Sequence, residues 1–138
     1  MSFLKTLPAD AVLLHVFRAY PETSVPLLAF HETLLRGPSP LSVAKRELIA
    51  AYVSGLNACA HCHGVHEATA REFGVAADLL AVLLTDLERA PVAEKLKPIL
   101  RYVGKLTQSP ARMTQADAVF AAGWTGRALH DTGYSRLL

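Results

Sequence analysis

The feature that most constrains the fold of this chain is the spacing of its apolar residues, which recur every three or four positions over most of its 138 residues. This period matches the turn of an α-helix and places the apolar residues on one helical face. The alternating pattern of a half-buried β-strand is absent. Pro21, Gly37, Pro38 and Pro40 separate the periodic segments. The sequence therefore predicts an all-α fold.

Outside the cysteine-containing region, the pattern predicts helices at 9–19, 22–36, 75–87 and 92–106. The last two helices each carry an apolar stripe, which is typical of helices packed on a core. The residues of these stripes are Leu79, Val82, Leu83 and Leu87 in the first, and Leu96, Ile99, Leu100 and Val103 in the second. Thr114 is predicted to cap a further helix, with Asp117 at its third position.

The cysteine-containing region is predicted to form two helices with a short connection. Ser42 is a suitable N-cap for the first helix, and Gly55 and Asn57 are weak helix formers near its end. The second helix would begin close to Ala58 and stop at Gly74, because glycine is common just past a helix C-terminus. A short connection favours an antiparallel pair, so we expect the two helices to pack side by side.

The only two cysteines, Cys59 and Cys62, lie three positions apart beside His61, His63 and His66. On a helix this spacing brings two sulfur atoms within disulfide distance. The first turn of a helix also favours a thiolate over a thiol. His66 follows Cys62 by four positions, so its ring can reach that sulfur and hold a proton taken from it. The pattern predicts thiol redox chemistry.

Glu47 is the carboxylate expected to act with these residues. It lies on the first helix of the pair, twelve positions before Cys59. If the helices pack antiparallel, its carboxylate can lie beside His66, where it would fix the ring and raise its basicity. His63 falls on a different face from Cys62 and is interpreted as a surface or interface residue.

The run from Arg46 to His66 resembles the core motif of the alkyl hydroperoxidase D family, within the carboxymuconolactone decarboxylase-like superfamily. The family pattern is Glu, eleven residues, Cys-x-His-Cys, three residues and His, and every position is filled here. A weaker similarity to the peroxidase-related branch covers 106–110, 122–124 and 130–131. The resemblance implies a compact helical bundle of the alkyl hydroperoxidase D-like type with about six to eight helices. We expect one domain spanning 1–138, with its core motif at 42–74.

Carried over to the matching positions, the resemblance implies that Cys62 reacts with a hydroperoxide and that Cys59 resolves the product into a disulfide. His66 and Glu47 would relay the proton, with assistance from His61. No tightly bound cofactor and no metal are implied. The reductant would be an external dithiol, dihydrolipoamide on a lipoylated protein in the family. Members of the family form dimers, trimers and hexamers, so a homo-oligomer is expected.

The same residues leave alternatives open. The helix N-terminus favours Cys59 as the more acidic thiol, whereas His66 favours Cys62, so residue chemistry alone does not identify the attacking cysteine. A general thiol–disulfide oxidoreductase would use the pair on protein disulfides. Zinc could be held by Cys59, Cys62, His66 and a further histidine. A non-redox member of the superfamily, decarboxylase-like or metal-binding, would tolerate the loss of Cys59.

Composition limits the expected partners and compartment. A net charge of +2 with mixed signs gives no basic stripe for nucleic acid. No apolar run is long enough to span a bilayer, and the N-terminus lacks the pattern of a signal peptide. We therefore expect a cytoplasmic protein with thiols that are reduced at rest. An apolar content of 51 % indicates apolar surface buried between subunits. In the branch that the sequence resembles, another apolar helix follows the His-Asp pair, and we expect a chain without this helix to differ in its assembly or substrate pocket.

Overall fold

A computed structural model of the protein describes residues 5–119. In this part of the chain the regular secondary structure is helical and no strand occurs, which confirms the all-α prediction. Residues 115–119 are also helical, and no helix among the described residues is long and apolar enough to cross a membrane. The helices that lie wholly within 5–119 are α1 (Leu13–Ala19), α2 (Pro21–Arg36), α3 (Val43–Leu56), α4 (Ala60–Glu72), α5 (Leu79–Thr85), α6 (Lys97–Gln108) and a 3-10 helix (Pro110–Arg112).

The chain divides into two compact units, the first ending at Pro38 and the second beginning at Ser39. In the first unit, α1 and α2 share Tyr20, which is the C-cap of α1 and the N-cap of α2. The buried hydroxyl of Ser24 lies 2.7 Å from the carbonyl oxygen of Phe17 and 2.9 Å from that of Tyr20. It can donate to either oxygen, so it stabilises the corner between the two helices.

In the second unit α3 is the central helix, because it packs against α4, α5 and α6. The buried apolar side chains form one core around it. The predicted stripes of α5 and α6 belong to this core or pack directly against it, as expected for amphipathic helices. The core residues are Leu48, Ala51, Tyr52, Leu79, Leu80, Leu83, Ala90, Leu96, Ile99 and Leu100.

The start of α5 differs from the prediction, since the helix begins at Leu79 and not at Val75. Gly74 takes a left-handed conformation with φ 91°. Its N–H donates to the carbonyl of Arg71 at 2.9 Å, and the N–H of Val75 donates to that of Ala70 at 3.0 Å. These two bonds form a Schellman motif that ends α4. Val75 therefore belongs to the end of one helix and cannot begin the next.

Candidate active site

The connection between α3 and α4 contains two capping motifs that share a cysteine. α3 ends at Leu56, and Ala58 takes a left-handed φ of 54°. The N–H of Ala58 donates to the carbonyl of Gly55 at 2.9 Å, and that of Cys59 donates to Ser54 at 3.0 Å, which is again a Schellman motif. Cys59 is at the same time the N-cap of α4. This cysteine thus lies where one helix ends and the next begins.

Cys59 and Cys62 are joined by a disulfide at the start of α4, with their Cα atoms 5.4 Å apart. The Sγ atom of Cys59 also accepts a hydrogen bond from the backbone N–H of Cys62 at 3.4 Å. Both residues are half-buried. The predicted disulfide distance and the position at a helix N-terminus are therefore confirmed. In the reduced pair, an N–H directed at a sulfur favours negative charge on that sulfur.

Glu47 and His66 form the predicted contact between α3 and α4. The Nδ1 atom of His66 lies 2.7 Å from Oε2 of Glu47. The Glu47 side chain is only 1 % exposed, and that of His66 is 16 % exposed. A carboxylate withdrawn from water requires a hydrogen-bond donor or a cation to offset its lost hydration. The imidazole provides this partner, and the carboxylate in turn holds the ring in one orientation.

The structure brings four of the five predicted site residues together as two pairs. Cys59 is bonded to Cys62, and Glu47 is hydrogen-bonded to His66. Cys62 and His66 are four residues apart on α4, so they occupy neighbouring positions on one face. The approach of the His66 ring to the Cys62 sulfur stays a prediction. His61 is exposed in the first turn of α4, outside both pairs.

His63 lies beside these pairs, in the interface between α4 and α3. Its Nδ1 atom lies 2.9 Å from the carbonyl oxygen of Ala51 in α3, and the ring is half-buried. A carbonyl oxygen can only accept, so Nδ1 carries the hydrogen. The Nε2 atom lies 3.7 Å from the carboxylate of Glu67, one turn further along α4. Of the two placements predicted for His63, surface or interface, the structure shows the second, with the half-buried ring between α4 and α3.

His63 and His66 share the face of α4 that contacts α3. Residues three apart on a helix are neighbours, and α3 covers this side of α4. His63 contacts Ala51, and His66 contacts Glu47. Residue numbers rise along α4 as they fall along α3, which confirms the predicted antiparallel arrangement.

The chemistry available to this arrangement follows from its donor and acceptor groups. Among residues 5–119, no group of three or more His, Cys, Asp or Glu side chains is placed to hold a metal ion. The two sulfurs are bonded to each other, and Nδ1 of both His63 and His66 faces an oxygen atom. The arrangement is suited to a two-electron exchange at a disulfide and to proton transfer through a carboxylate–imidazole pair.

Similarity to known proteins covers the same region. The model of the carboxymuconolactone decarboxylase family matches residues 21–93, which include both pairs of site residues. Among solved structures, an uncharacterized peroxidase-related protein from Silicibacter sp. TM1040 is similar, with a TM-score of 0.70 and 28 % sequence identity. The match covers 80 % of this chain and 59 % of that protein. No protein with a curated function matches the sequence. The weaker similarity at 122–124 and 130–131 lies outside the described residues.

Proposed function

The chain belongs to the carboxymuconolactone decarboxylase family, and from this premise we propose that it is a thiol-dependent peroxidase that reduces hydroperoxides with Cys59 and Cys62. The observation that carries the proposal is a disulfide at the start of α4, on the helix that also bears the buried Glu47–His66 pair. Similarity to a peroxidase-related protein supports the same chemistry. Such a reaction requires two components, a disulfide that can open and close and a base held in a fixed orientation.

In the first step the thiolate of Cys62 attacks the terminal oxygen of the hydroperoxide, the one that carries the hydrogen. A sulfur–oxygen bond forms and the oxygen–oxygen bond breaks, which gives a sulfenic acid on Cys62 and an alkoxide. The alkoxide takes one proton and leaves as an alcohol. The sulfur is oxidised by two electrons, and the peroxide is reduced by the same two.

In the second step the thiolate of Cys59 attacks the sulfur of the sulfenic acid. The disulfide forms and hydroxide leaves, which takes a proton to become water. The Cα separation of 5.4 Å supports this step, because the two residues already have the separation of a bonded pair. Cys59 is also the N-cap of α4, a position that favours its thiolate.

The third step returns the enzyme to its dithiol form. One thiolate of an external dithiol attacks the sulfur of Cys59, so that the bond to Cys62 breaks, Cys62 leaves as a thiolate and a mixed disulfide forms. The second thiolate of the reductant then attacks its own sulfur in the mixed disulfide, which releases Cys59 as a thiolate and closes the reductant into a cyclic disulfide. Dihydrolipoamide on a lipoylated protein is the reductant that the family suggests. Over the cycle, one hydroperoxide and one dithiol give one alcohol, one water and one disulfide.

The Glu47–His66 pair is proposed to manage the protons of this cycle. An ionised carboxylate cannot donate, so Nδ1 of His66 carries the hydrogen in their 2.7 Å contact. Nε2 is then the nitrogen that accepts the thiol proton of Cys62 and returns it to the alkoxide. The buried Glu47 stabilises the imidazolium formed in between. His61, which is exposed in the first turn, is proposed to assist in proton exchange with solvent.

The assignment is tested by trapping the sulfenic acid with dimedone after one equivalent of cumene hydroperoxide. Cys59→Ser should leave a trappable sulfenic acid, because the resolving thiol is missing. Cys62→Ser should give none, and each substitution should lower dihydrolipoamide-dependent peroxide consumption at least about 100-fold. Wild-type protein, which resolves to the disulfide, is the control for trapping.

Three outcomes contradict the proposal at different levels. Equal trapping in both variants would show that the roles of the two cysteines are wrong. Failure of the wild-type protein to consume hydroperoxide, with rapid reaction toward small disulfides, would instead identify a thiol–disulfide oxidoreductase. A wild-type protein that reacts with neither hydroperoxides nor disulfides, together with a metal detected in the purified protein, would indicate a non-redox, metal-binding member of the superfamily.

A further inference from the structure

His63 directly follows Cys62, and its ring is built into the interface of α4 with α3. The hydrogen bond from Nδ1 to the Ala51 carbonyl is 2.9 Å long and joins two helices across twelve residues of sequence. The ring is half-buried, so it has lost part of its hydration, and the hydrogen bond offsets this loss. The mechanism proposed above does not use this side chain.

Gly55 provides the space for this contact. A Cβ atom at that position would lie 3.1 Å from Nδ1 of His63 and 2.7 Å from Cδ1 of Leu84 in α5. Both distances are shorter than ordinary van der Waals contact. Glycine is unfavourable in a helix compared with alanine. The close approach of these two side chains accounts for a glycine in the last turn of α3. The hydrogen bond and the missing Cβ at Gly55 are two separate features beside the His63 ring, and the Leu84 side chain fills the nearer part of that space.

We propose that His63 is a positioning residue that holds the first turn of α4 against α3, so that Cys59 and Cys62 keep the separation of a bonded pair when they are reduced. The inference deepens the proposed function and rests on it, since the peroxidase cycle requires the reduced pair to close again. His63 acts through the position of Cys62 and does not contact the hydroperoxide.

The physical basis is a difference between the two redox states. In the oxidised protein the disulfide itself holds the first turn of α4. In the reduced protein that link is gone, and terminal helical turns fray readily. The bond of His63 lies one residue beyond Cys62 and opposes this fraying. Without it, the effective concentration of one thiol at the other falls, which makes the disulfide less favourable relative to the dithiol.

The test is the equilibrium of the full chain with glutathione, in which two glutathione thiols and the protein disulfide give the protein dithiol and oxidised glutathione. His63→Leu fills much of the same space without a donor. From the net contribution of one hydrogen bond, we expect it to shift the equilibrium about 2- to 10-fold toward the dithiol. His63→Asn places an amide N–H near the position of Nδ1 and should return the equilibrium to within about 2-fold of wild type.

Lys97→Met is the matched control for global stability. It removes a donor to the carbonyl oxygen of Glu88, 2.9 Å from Nζ, in a contact that lies outside α3 and α4. It should lower the melting temperature and leave the glutathione equilibrium unchanged. If His63→Leu does not fold, His63→Gln replaces it in the comparison with His63→Asn. Glutamine carries its amide donor one bond further from the backbone, away from the position of Nδ1.

The positioning role is overturned if the donor-free variant melts at a lower temperature but keeps the wild-type glutathione equilibrium, or if Lys97→Met shifts that equilibrium equally. Peroxide does not enter this measurement. A wild-type protein that opens and closes its disulfide but consumes no hydroperoxide would refute the proposed function, while the role of His63 would still be decided by the equilibrium of its variants.

Discussion

At the residue scale, α3 and α4 end in the same motif built on different residues. Gly74 and Ala58 both take the left-handed conformation, with φ of 91° and 54°. Glycine adopts it without a steric penalty, whereas the Cβ of alanine costs about 1–2 kcal/mol. The residue that follows Ala58 is Cys59, the N-cap of α4. The strained position therefore lies immediately before a proposed catalytic cysteine, and backbone strain is often located at such sites.

Exchanging the two residue types should have opposite effects. Ala58→Gly should raise the free energy of unfolding by up to about 1 kcal/mol, since relief of strain exceeds the added freedom of the unfolded chain. Gly74→Ala should lower it by about 1 kcal/mol. A Cβ at Gly74 meets no atom within 4 Å, so that loss would come from the backbone alone. Urea unfolding of both variants with the disulfide intact measures this, and destabilisation by Ala58→Gly would contradict it.

At the scale of elements, two histidine contacts set the alignment of α3 and α4. His63 and His66 are three residues apart on α4, and their partners Ala51 and Glu47 are four apart on α3. The contacts therefore lie one turn apart along the same interface. One ends on a backbone carbonyl and the other on a buried carboxylate. Sliding either helix along the other would break both hydrogen bonds. The two bonds therefore fix the position of the first turn of α4, which contains Cys62, along the axis of α3.

The buried pair should be the more costly of these contacts to disrupt. Glu47→Ala leaves the His66 ring without its carboxylate and should lower the free energy of unfolding by about 3 kcal/mol. Glu47→Gln keeps an oxygen that accepts from Nδ1, so a loss of about 1 kcal/mol is expected. Thermal and urea unfolding measure both. Glu67→Gln, at the partly exposed carboxylate near His63, is the control and should change stability by less than about 1 kcal/mol. Equal losses from the two Glu47 variants would contradict the hydrogen-bonding role.

Local signals predicted the ends of these helices, and packing decided what was missed. Ser42 caps α3 by accepting from the N–H of Lys45, and Gly74 ends α4, both as expected from residue type. The start of α5 was misplaced because an apolar stripe continues through the cap of the preceding helix. The sequence around His63 did not distinguish a surface from an interface position, because its partner Ala51 lies on another helix, beside the space left by Gly55. Nothing in the neighbouring sequence reports either feature.

At the scale of the whole molecule, apolar periodicity was sufficient to predict the all-α class and the stripes that form the core of the second unit. A single domain, a homo-oligomer and a cytoplasmic location stay predictions. Surface charge pairs join segments of the second unit that are distant in sequence. Arg101 in α6 binds both carboxylate oxygens of Glu88, and Lys105 binds those of Asp117. These hydrogen bonds lower the pKa of both carboxyl groups.

Asp117 links the end of the described chain to α6. Its carboxylate accepts from Nζ of Lys105 at 2.7 and 2.9 Å, and from the hydroxyl and N–H of Thr114 at 2.7 and 2.8 Å. The N–H of Asp117 lies 3.4 Å from the Thr114 hydroxyl, which confirms the predicted cap. The Lys105 ammonium, followed by the two Thr114 donors, lowers the pKa of Asp117 from 3.8 to about 2.

A carboxyl group whose pKa is lowered by folding stabilises the native state above its unfolded pKa and loses that contribution as pH falls through its native pKa. Asp117 should therefore stabilise the protein fully above about pH 4 and progressively less toward pH 2. Asp117→Asn should melt at a lower temperature than wild type at pH 6, and the difference should shrink progressively as pH falls from about 4 to 2. Calorimetric scans across this range measure it, with Asp10→Asn, an exposed aspartate of the first unit, as the control for lost charge. A difference in melting temperature that is constant from pH 6 to pH 2 would mean that Asp117 acts through packing and not through its ionised form.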